Sequence, residues 1–331
     1  MKPVDYVLPA NLGEALDAIS TLPEAKFIAG GTNLVDLMRE GIETPDILID
    51  ISRLPLTDID EAADGALRIG AGVRNSELAA HPAVRARFPV LSQALLMGAS
   101  GQIRNMATVG GNLLQRTRCL YFYDDTAACN KRELGSGCAA IGGFNRMGAV
   151  LGASSSCVAV HPSDMAVALA LLDAEVEVAS RRGSRHISMH NFHRLPGDTP
   201  HIDTDLAADE IVVAVRIPPA PIAAVSRYRK VRDRASYAFA LISVAAAIRI
   251  ENEIVTEVRV ALGGVAHKPW RATALEKHLT GKPATDEQFA DAAKAEFVSA
   301  TGDPTNEFKI DLAVRTTASV LRTLRDSGGA A

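Results

Sequence analysis

The spacing of apolar and polar positions divides the chain into elements. Leu12, Ala15, Leu16 and Ile19 recur at helical intervals over residues 12–22. Lys26-Phe27-Ile28-Ala29 is a short apolar strand that runs into Gly30-Gly31-Thr32-Asn33. The stretch beginning Leu34-Val-Asp-Leu then reads as a helix, and 47–51 as a second buried strand. These segments predict a small β–α–β unit whose crossover opens with a glycine turn. Residues 66–74 predict a strand with a glycine bend, 75–80 a helix capped by Ser76, and 91–99 a further helix. Residues 165–172 form an apolar helix that Pro162 and Ser163 start. A hairpin is predicted from 175–179 and 185–188 around Arg182-Gly183, and a strand at 210–217 ends at Pro218-Pro219. The Pro/Ala stretch 218–224 is the predicted domain boundary. Beyond it, strands at 244–250 and 254–262 flank a turn at Glu251-Asn252-Glu253, and 271–280, 286–298 and 309–325 are helical. The class expected is α+β, with a C-terminal antiparallel sheet covered by a helix cluster.

Two glycine pairs carry candidate chemistry. Gly30-Gly31 is followed by Thr32 and Asn33, and Gly110-Gly111 lies between Thr108 and Asn112. Glycine lets the backbone bend and approach a ligand closely. Free N–H groups at such a turn favour an anion, a phosphate above all. A single such pair is as readily a tight turn without a ligand. Two in one domain predict one large ligand held from two sides, for which a diphosphate-linked dinucleotide is suited.

All four cysteines fall within residues 119–157, at Cys119, Cys129, Cys138 and Cys157. The segment between them is polar, glycine-rich and a poor former of helix or strand. A long irregular segment inside a domain needs something to hold it. Two disulfides, a zinc site, four unrelated buried thiols and an iron–sulfur cluster all remain open. Zinc usually takes its cysteines in close pairs, which these spacings lack. A cluster takes four thiolates at varied spacing.

Composition narrows the classes. Hydrophobic residues make up 47% and charged residues 22% of the 331 positions, as in ordinary globular chains. The net charge of −4 gives no general attraction to nucleic acid or anionic membrane. No apolar run is long enough to insert into a membrane. The opening Met-Lys-Pro-Val-Asp-Tyr lacks the blocks of a secretory signal. The expected place is the cytoplasm, or the periplasm by co-export with a signal-bearing partner. Neither a nucleophile elbow nor H-E-x-x-H is present.

Four motifs in this order resemble the FAD-binding medium subunits of molybdenum hydroxylases, the xanthine dehydrogenase and carbon monoxide dehydrogenase group. They are Ala29-Gly-Gly-Thr-Asn-Leu34, Ile103-Arg-Asn-Met-Ala-Thr-Val-Gly-Gly-Asn112, the Pro162-Ser-Asp-Met stretch to Asp173, and Tyr228-Arg-Lys-Val-Arg. The insert carrying Gln115-Arg-Thr-Arg-Cys119, Cys129-Asn-Lys-Arg and Gly135-Ser-Gly-Cys138 is similar to that of the flavin subunit of bacterial periplasmic aldehyde oxidoreductases.

The resemblance implies a vanillyl-alcohol-oxidase/PCMH-type FAD-binding domain over 1–219, with subdomains of about 1–55 and 56–219 and a cysteine-bearing insert at 115–160. A C-terminal domain of the CO dehydrogenase flavoprotein type would cover 225–326. It implies that Lys26, Phe27, Ile28, Ala29, Gly30, Gly31, Thr32, Asn33 and Leu34 wrap the FAD pyrophosphate. Thr108, Gly111 and Asn112 would hold FAD from the other side, Asp164 would bond one of its polar groups, and Lys230 would lie at the polar edge of the isoalloxazine. Tyr228 or Tyr237 would cover the ring. Cys119, Cys129, Cys138 and Cys157 would hold a [4Fe-4S] cluster. A large partner with a molybdenum cofactor and a small partner with [2Fe-2S] clusters are implied, with electrons passing through FAD to an external acceptor. The alternatives are a stand-alone vanillyl-alcohol-oxidase-type flavoprotein, the flavin subunit of a benzoyl-CoA-type reductase, or a scaffold with an empty flavin site.

Overall fold

The computed structural model describes residues 2–328. Three sheets organise it. The first holds β1 (Asp5–Val7), β2 (Ala25–Ile28) and β3 (Ile47–Asp50), all parallel, in the order β1–β3–β2. The helix Leu12–Thr21, capped by the Asn11 side chain, joins β1 to β2. The first glycine turn and the helix Leu34–Arg39 join β2 to β3. Parallel neighbours require such crossovers, which is why the glycine turn stands at the end of a strand.

The second sheet is antiparallel. It holds β4 (Ile59–Glu61), β5 (Leu67–Gly70), β6 (Glu175–Ser180), β7 (Gly183–Ser188) and β8 (Ile211–Ile217), in the order β4–β5–β8–β6–β7. The turn between β6 and β7 is at Arg181-Arg182, one residue before the predicted place, because Ser180 pairs with Gly183. The predicted Ser76 cap is also displaced. Arg74 is the residue before the helix Asn75–Ala80, and Glu77 accepts from the Arg74 backbone N–H. An acidic third residue reaches back to satisfy that free N–H, while Ser76 stands inside the helix as its second residue.

The third sheet holds β9 (Ser226–Val231), β10 (Ile242–Glu251), β11 (Ile254–Gly263) and β12 (Trp270–Arg271), antiparallel in the order β12–β11–β10–β9. Asn252 and Glu253 both have positive φ, as a two-residue hairpin turn requires. Helices Thr273–Leu279, Asp286–Glu296 and Phe308–Asp326 complete this half.

The apolar helix Asp164–Leu171 is buried along its whole length and packs against β10, β11 and the helix Pro89–Met97. A helix apolar all round must be enclosed on every side, so it sits at the junction of the two halves. One continuous core joins it to the second sheet and to Tyr228, Ala245, Ala247 and Ala261 of the third. The cysteine segment is irregular apart from the single turn Leu120–Tyr123. Its far end is pinned to the C-terminal half, where Val150 and Leu151 join the core. There the fully buried Lys309 donates to the carbonyls of Met147, Gly148 and Gly264.

Candidate functional site

The two glycine turns meet. A Cβ at Gly30 would run into the Met106 carbonyl oxygen, so the first turn lies directly against the strand of chain that leads into the second. Gly31 has φ +70°, a conformation costly for any other residue. Beyond it, the backbone N–H groups of Gly31, Thr32 and Asn33 donate to no other backbone group among the described residues. The second turn differs. Its N–H groups are engaged: Val109 donates to Val73, Gly110 to Ala71, Gly111 to the Thr108 hydroxyl and Asn112 to the Thr108 carbonyl.

Three cavities adjoin one another: one lies between the first and second sheets, and two reach the C-terminal half. The first, of about 490 Å³, is lined by Lys26, Phe27, Ala29, Gly31, Thr32, Asn33 and Leu34 from one side and by Thr108, Gly110 and Gly111 from the other. Ile28 and Gly30 are not on its wall; Gly30 faces Met106 instead. Lys26 is drawn into an ion pair with Glu43, which also binds Arg116. The second cavity, of about 270 Å³, shares Thr32, Asn33 and Gly111 with the first and adds Asn112, Asp164, Lys230 and Tyr237. The third, of similar size, shares Asp164, Arg118 and Phe239 with the second and reaches Cys119.

Asp164 is buried at the N-terminus of its helix, with Ser163 as cap. One carboxylate oxygen accepts from the Lys230 ammonium at 2.7 Å and the other from the Tyr228 hydroxyl at 2.5 Å. Lys230 also donates to the Met97 carbonyl. Burial, with the Asp164 charge beside it, pushes the Tyr228 phenol well above its ordinary range. Tyr228 is therefore a neutral donor fixed inside the core and is on the wall of none of the three cavities, which removes it as a cover for a flavin ring. A side chain on β9 alternates between faces; Tyr228 and Lys230 share the inward face, which brings both to Asp164. Tyr237 is exposed and lines the second cavity.

Arg118 was not among the residues singled out from the sequence. It lines both the second and third cavities, stacks on Phe239 at 5.0 Å and donates to the Arg116 carbonyl. Burial lowers its pKa below the ordinary value. The signal available was its place directly before Cys119.

The four thiols are free and gathered in one region. Cys129 and Cys138 face each other as a bridge pair, Cys119 is within electrostatic reach of both, and Cys157 of Cys138 and Cys119. Burial raises Cys119 and pushes Cys157 up to about 11. Among the described residues no three Cys, His, Asp or Glu side chains close on a point as a single metal ion demands. A four-iron cluster asks for less, because each of its four thiolates binds its own iron.

The residues suit both groups implied by the sequence. Unengaged N–H groups beside a positive-φ glycine, together with a buried Asn33 amide nitrogen that lacks a partner, form a cradle for a phosphate. Four free thiols in one segment are the donor set that cationic iron converts to thiolates.

Comparison with known proteins bears on the flavin part of this arrangement. Residues 2–220 match the family described as FAD binding domain in molybdopterin dehydrogenase, and residues 226–324 match the CO dehydrogenase flavoprotein C-terminal domain. The chain is 54% identical over 327 residues to the aldehyde oxidoreductase FAD-binding subunit PaoB of Escherichia coli K12, covering 98% of this chain and 99% of that one. It is 29% identical to the xanthine dehydrogenase FAD-binding subunit of Escherichia coli O157:H7, covering 84% and 80%. Among solved structures, carbon monoxide dehydrogenase from Hydrogenophaga pseudoflava matches at TM-score 0.76 and 25% identity, over 98% of this chain and 99% of that one. Quinoline 2-oxidoreductase from Pseudomonas putida 86 shares the fold at TM-score 0.77, over 99% and 100%. By its two domains, its motifs and these relatives, the chain belongs to the FAD-binding medium subunits of the xanthine dehydrogenase and carbon monoxide dehydrogenase family.

Proposed function

We propose that this chain is the FAD- and [4Fe-4S]-carrying electron-transfer subunit of a molybdenum-dependent aldehyde oxidoreductase. One observation carries the reading: the run of cavities from the first glycine turn passes Lys230 and Asp164 and ends at Cys119. A dinucleotide laid along it would have its phosphates at Gly31–Asn33 and its far end beside the cysteine segment. FAD supplies the exchange between two-electron and one-electron transfer, which no side chain performs. The chain's own part is placement and charge. The turn N–H groups hold the diphosphate, and Lys230, held by Asp164, sets a positive charge against the cofactor. Cys119, Cys129, Cys138 and Cys157 hold the cluster.

The likeness to the aldehyde oxidoreductase subunit supports the rest. The substrate would be oxidised on a large subunit bearing the molybdenum cofactor, and a small [2Fe-2S] subunit would deliver electrons to FAD. FAD would pass them to an external acceptor. The assembly would reside in the periplasm after co-export, or in the cytoplasm.

The test is the Cys129→Ser variant of the complex, purified without oxygen. Expected are loss of the iron assigned to this chain and retention of its FAD, read by metal analysis and by flavin released on denaturation. Iron equal to wild type would remove Cys129 from the ligand set, and a wild-type chain that releases no flavin would end the reading altogether.

A further inference from the structure

The charged side chains on the wall of the second cavity are Asp36, Arg104, Arg118, Asp164 and Lys230. Two of them largely cancel. The Lys230 ammonium stands 2.7 Å from the Asp164 carboxylate, so the pair brings a dipole to the cavity and little net charge. Asp36 accepts from the Tyr123 hydroxyl, and neither arginine is ion-paired with a carboxylate among the described residues. Arg104 is turned back on its own corner of the chain, where Nη1 meets the carbonyls of Leu96, Gly98 and Ala99. It borders the second cavity alone.

Arg118 is placed differently. It borders the second and third cavities together. Phe239 borders the same two cavities, and its ring centroid lies 5.0 Å from the guanidinium carbon, a stack that steadies the charged group. Nη1 donates to the Arg116 carbonyl. A guanidinium carries N–H groups on all three nitrogens. Those on Nε and Nη2 donate to no protein group among the described residues, and neither nitrogen is enclosed. A half-buried arginine with open N–H groups and no carboxylate is set to bind negative charge.

We propose that Arg118 is a further cofactor-binding residue, whose charge favours the reduced flavin over the oxidised one. It rests on the flavin reading above and deepens it. Lys230 sets the positive end of an ion pair at the cavity, and Arg118 adds a positive charge that no ion pair cancels. An isoalloxazine that takes up two electrons and one proton is left with one negative charge on the ring. The electrons would come from the partner subunits' iron–sulfur clusters and the proton from solvent. Donors already held in place stabilise such a charge as it develops, at no cost of rearrangement. Loss of the Arg118 charge therefore weakens the binding of reduced FAD more than that of oxidised FAD, and lowers the flavin's hold on electrons.

The experiment uses the assembled complex, titrated without oxygen against a redox dye of known potential. The ratio of reduced to oxidised flavin is read from absorbance at each setting of the dye. In Arg118→Gln the ratio at a fixed setting should fall about tenfold, which is about 30 mV for a two-electron couple. Arg118→Lys keeps the charge and should stay within about threefold of wild type. An arginine with a structural role alone would lower the FAD content or the melting point in both variants and leave the ratio unchanged in the flavin that remains. If Arg118→Gln does not assemble, Phe239→Glu decides. It sets a carboxylate beside the guanidinium at an exposed position and should lower the ratio likewise. A wild-type ratio in either assembled variant overturns the role of Arg118 and leaves the flavin reading standing. A wild-type complex that releases no flavin ends both.

Discussion

The two glycine turns look alike as sequence, and they do different work. At 29–34 the turn follows a parallel strand, and its N–H groups are left free to meet a ligand. At 108–113 the turn begins a short helix, and its N–H groups are spent on Val73, Ala71 and Thr108. The first turn can therefore bind a phosphate through the backbone. The second can only wall the cavity and hold Asn112, which itself accepts from Ser163. Within each pair the glycines also divide. Gly30 and Gly110 are small because neighbouring chain presses on them, Met106 on one and Ala71 on the other. Gly31 and Gly111 border the space that a cofactor would fill, and Gly110 touches it as well. A shared motif marks a shared place here, and the hydrogen bonds decide the chemistry.

Substitution can break this contrast at three depths. Gly30→Ala drives a methyl group into a backbone carbonyl that cannot swing aside, and should destabilise the chain by about 3 kcal/mol or more. Thermal unfolding of the purified subunit measures it, and a melting point equal to wild type would contradict the close approach. Gly31→Ala should cost about 1–2 kcal/mol through its positive φ. Because it also disturbs the cradle, it should weaken FAD far more than its stability loss explains. A flavin titration that gives wild-type affinity would show that the first turn is not the phosphate site. Thr108→Ala removes the side-chain acceptor of the Gly111 N–H and should cost about 1 kcal/mol, as the loss of a helix cap does. FAD affinity should change little; a loss as large as that of Gly31→Ala would erase the distinction between the turns.

Much of the architecture was legible because periodicity reports burial directly. The helix 34–39 begins and ends where the apolar spacing places it, and the hairpin at Asn252-Glu253 follows from polar residues between two long apolar strands. The cap at residue 74 was not legible, since it depends on a glutamate reaching back rather than on a serine standing first. Of the site, the glycine turns and the cysteines announced themselves by residue type and crowding. Arg118 did not, because arginine is usually a surface residue and nothing local marks this one as lining a cavity.

Sequence alone predicted the main helices and strands and where glycine is needed, and it shows that the cysteines crowd into one segment. These depend on short-range sterics and on local apolar content. Only the folded chain decided that Tyr228 faces Asp164 instead of a ligand, that the second turn has no N–H to offer, and that the rings of His161 and His193 pack together. Those outcomes depend on which distant segments become neighbours, and therefore on how three sheets and one fully apolar helix pack to exclude water.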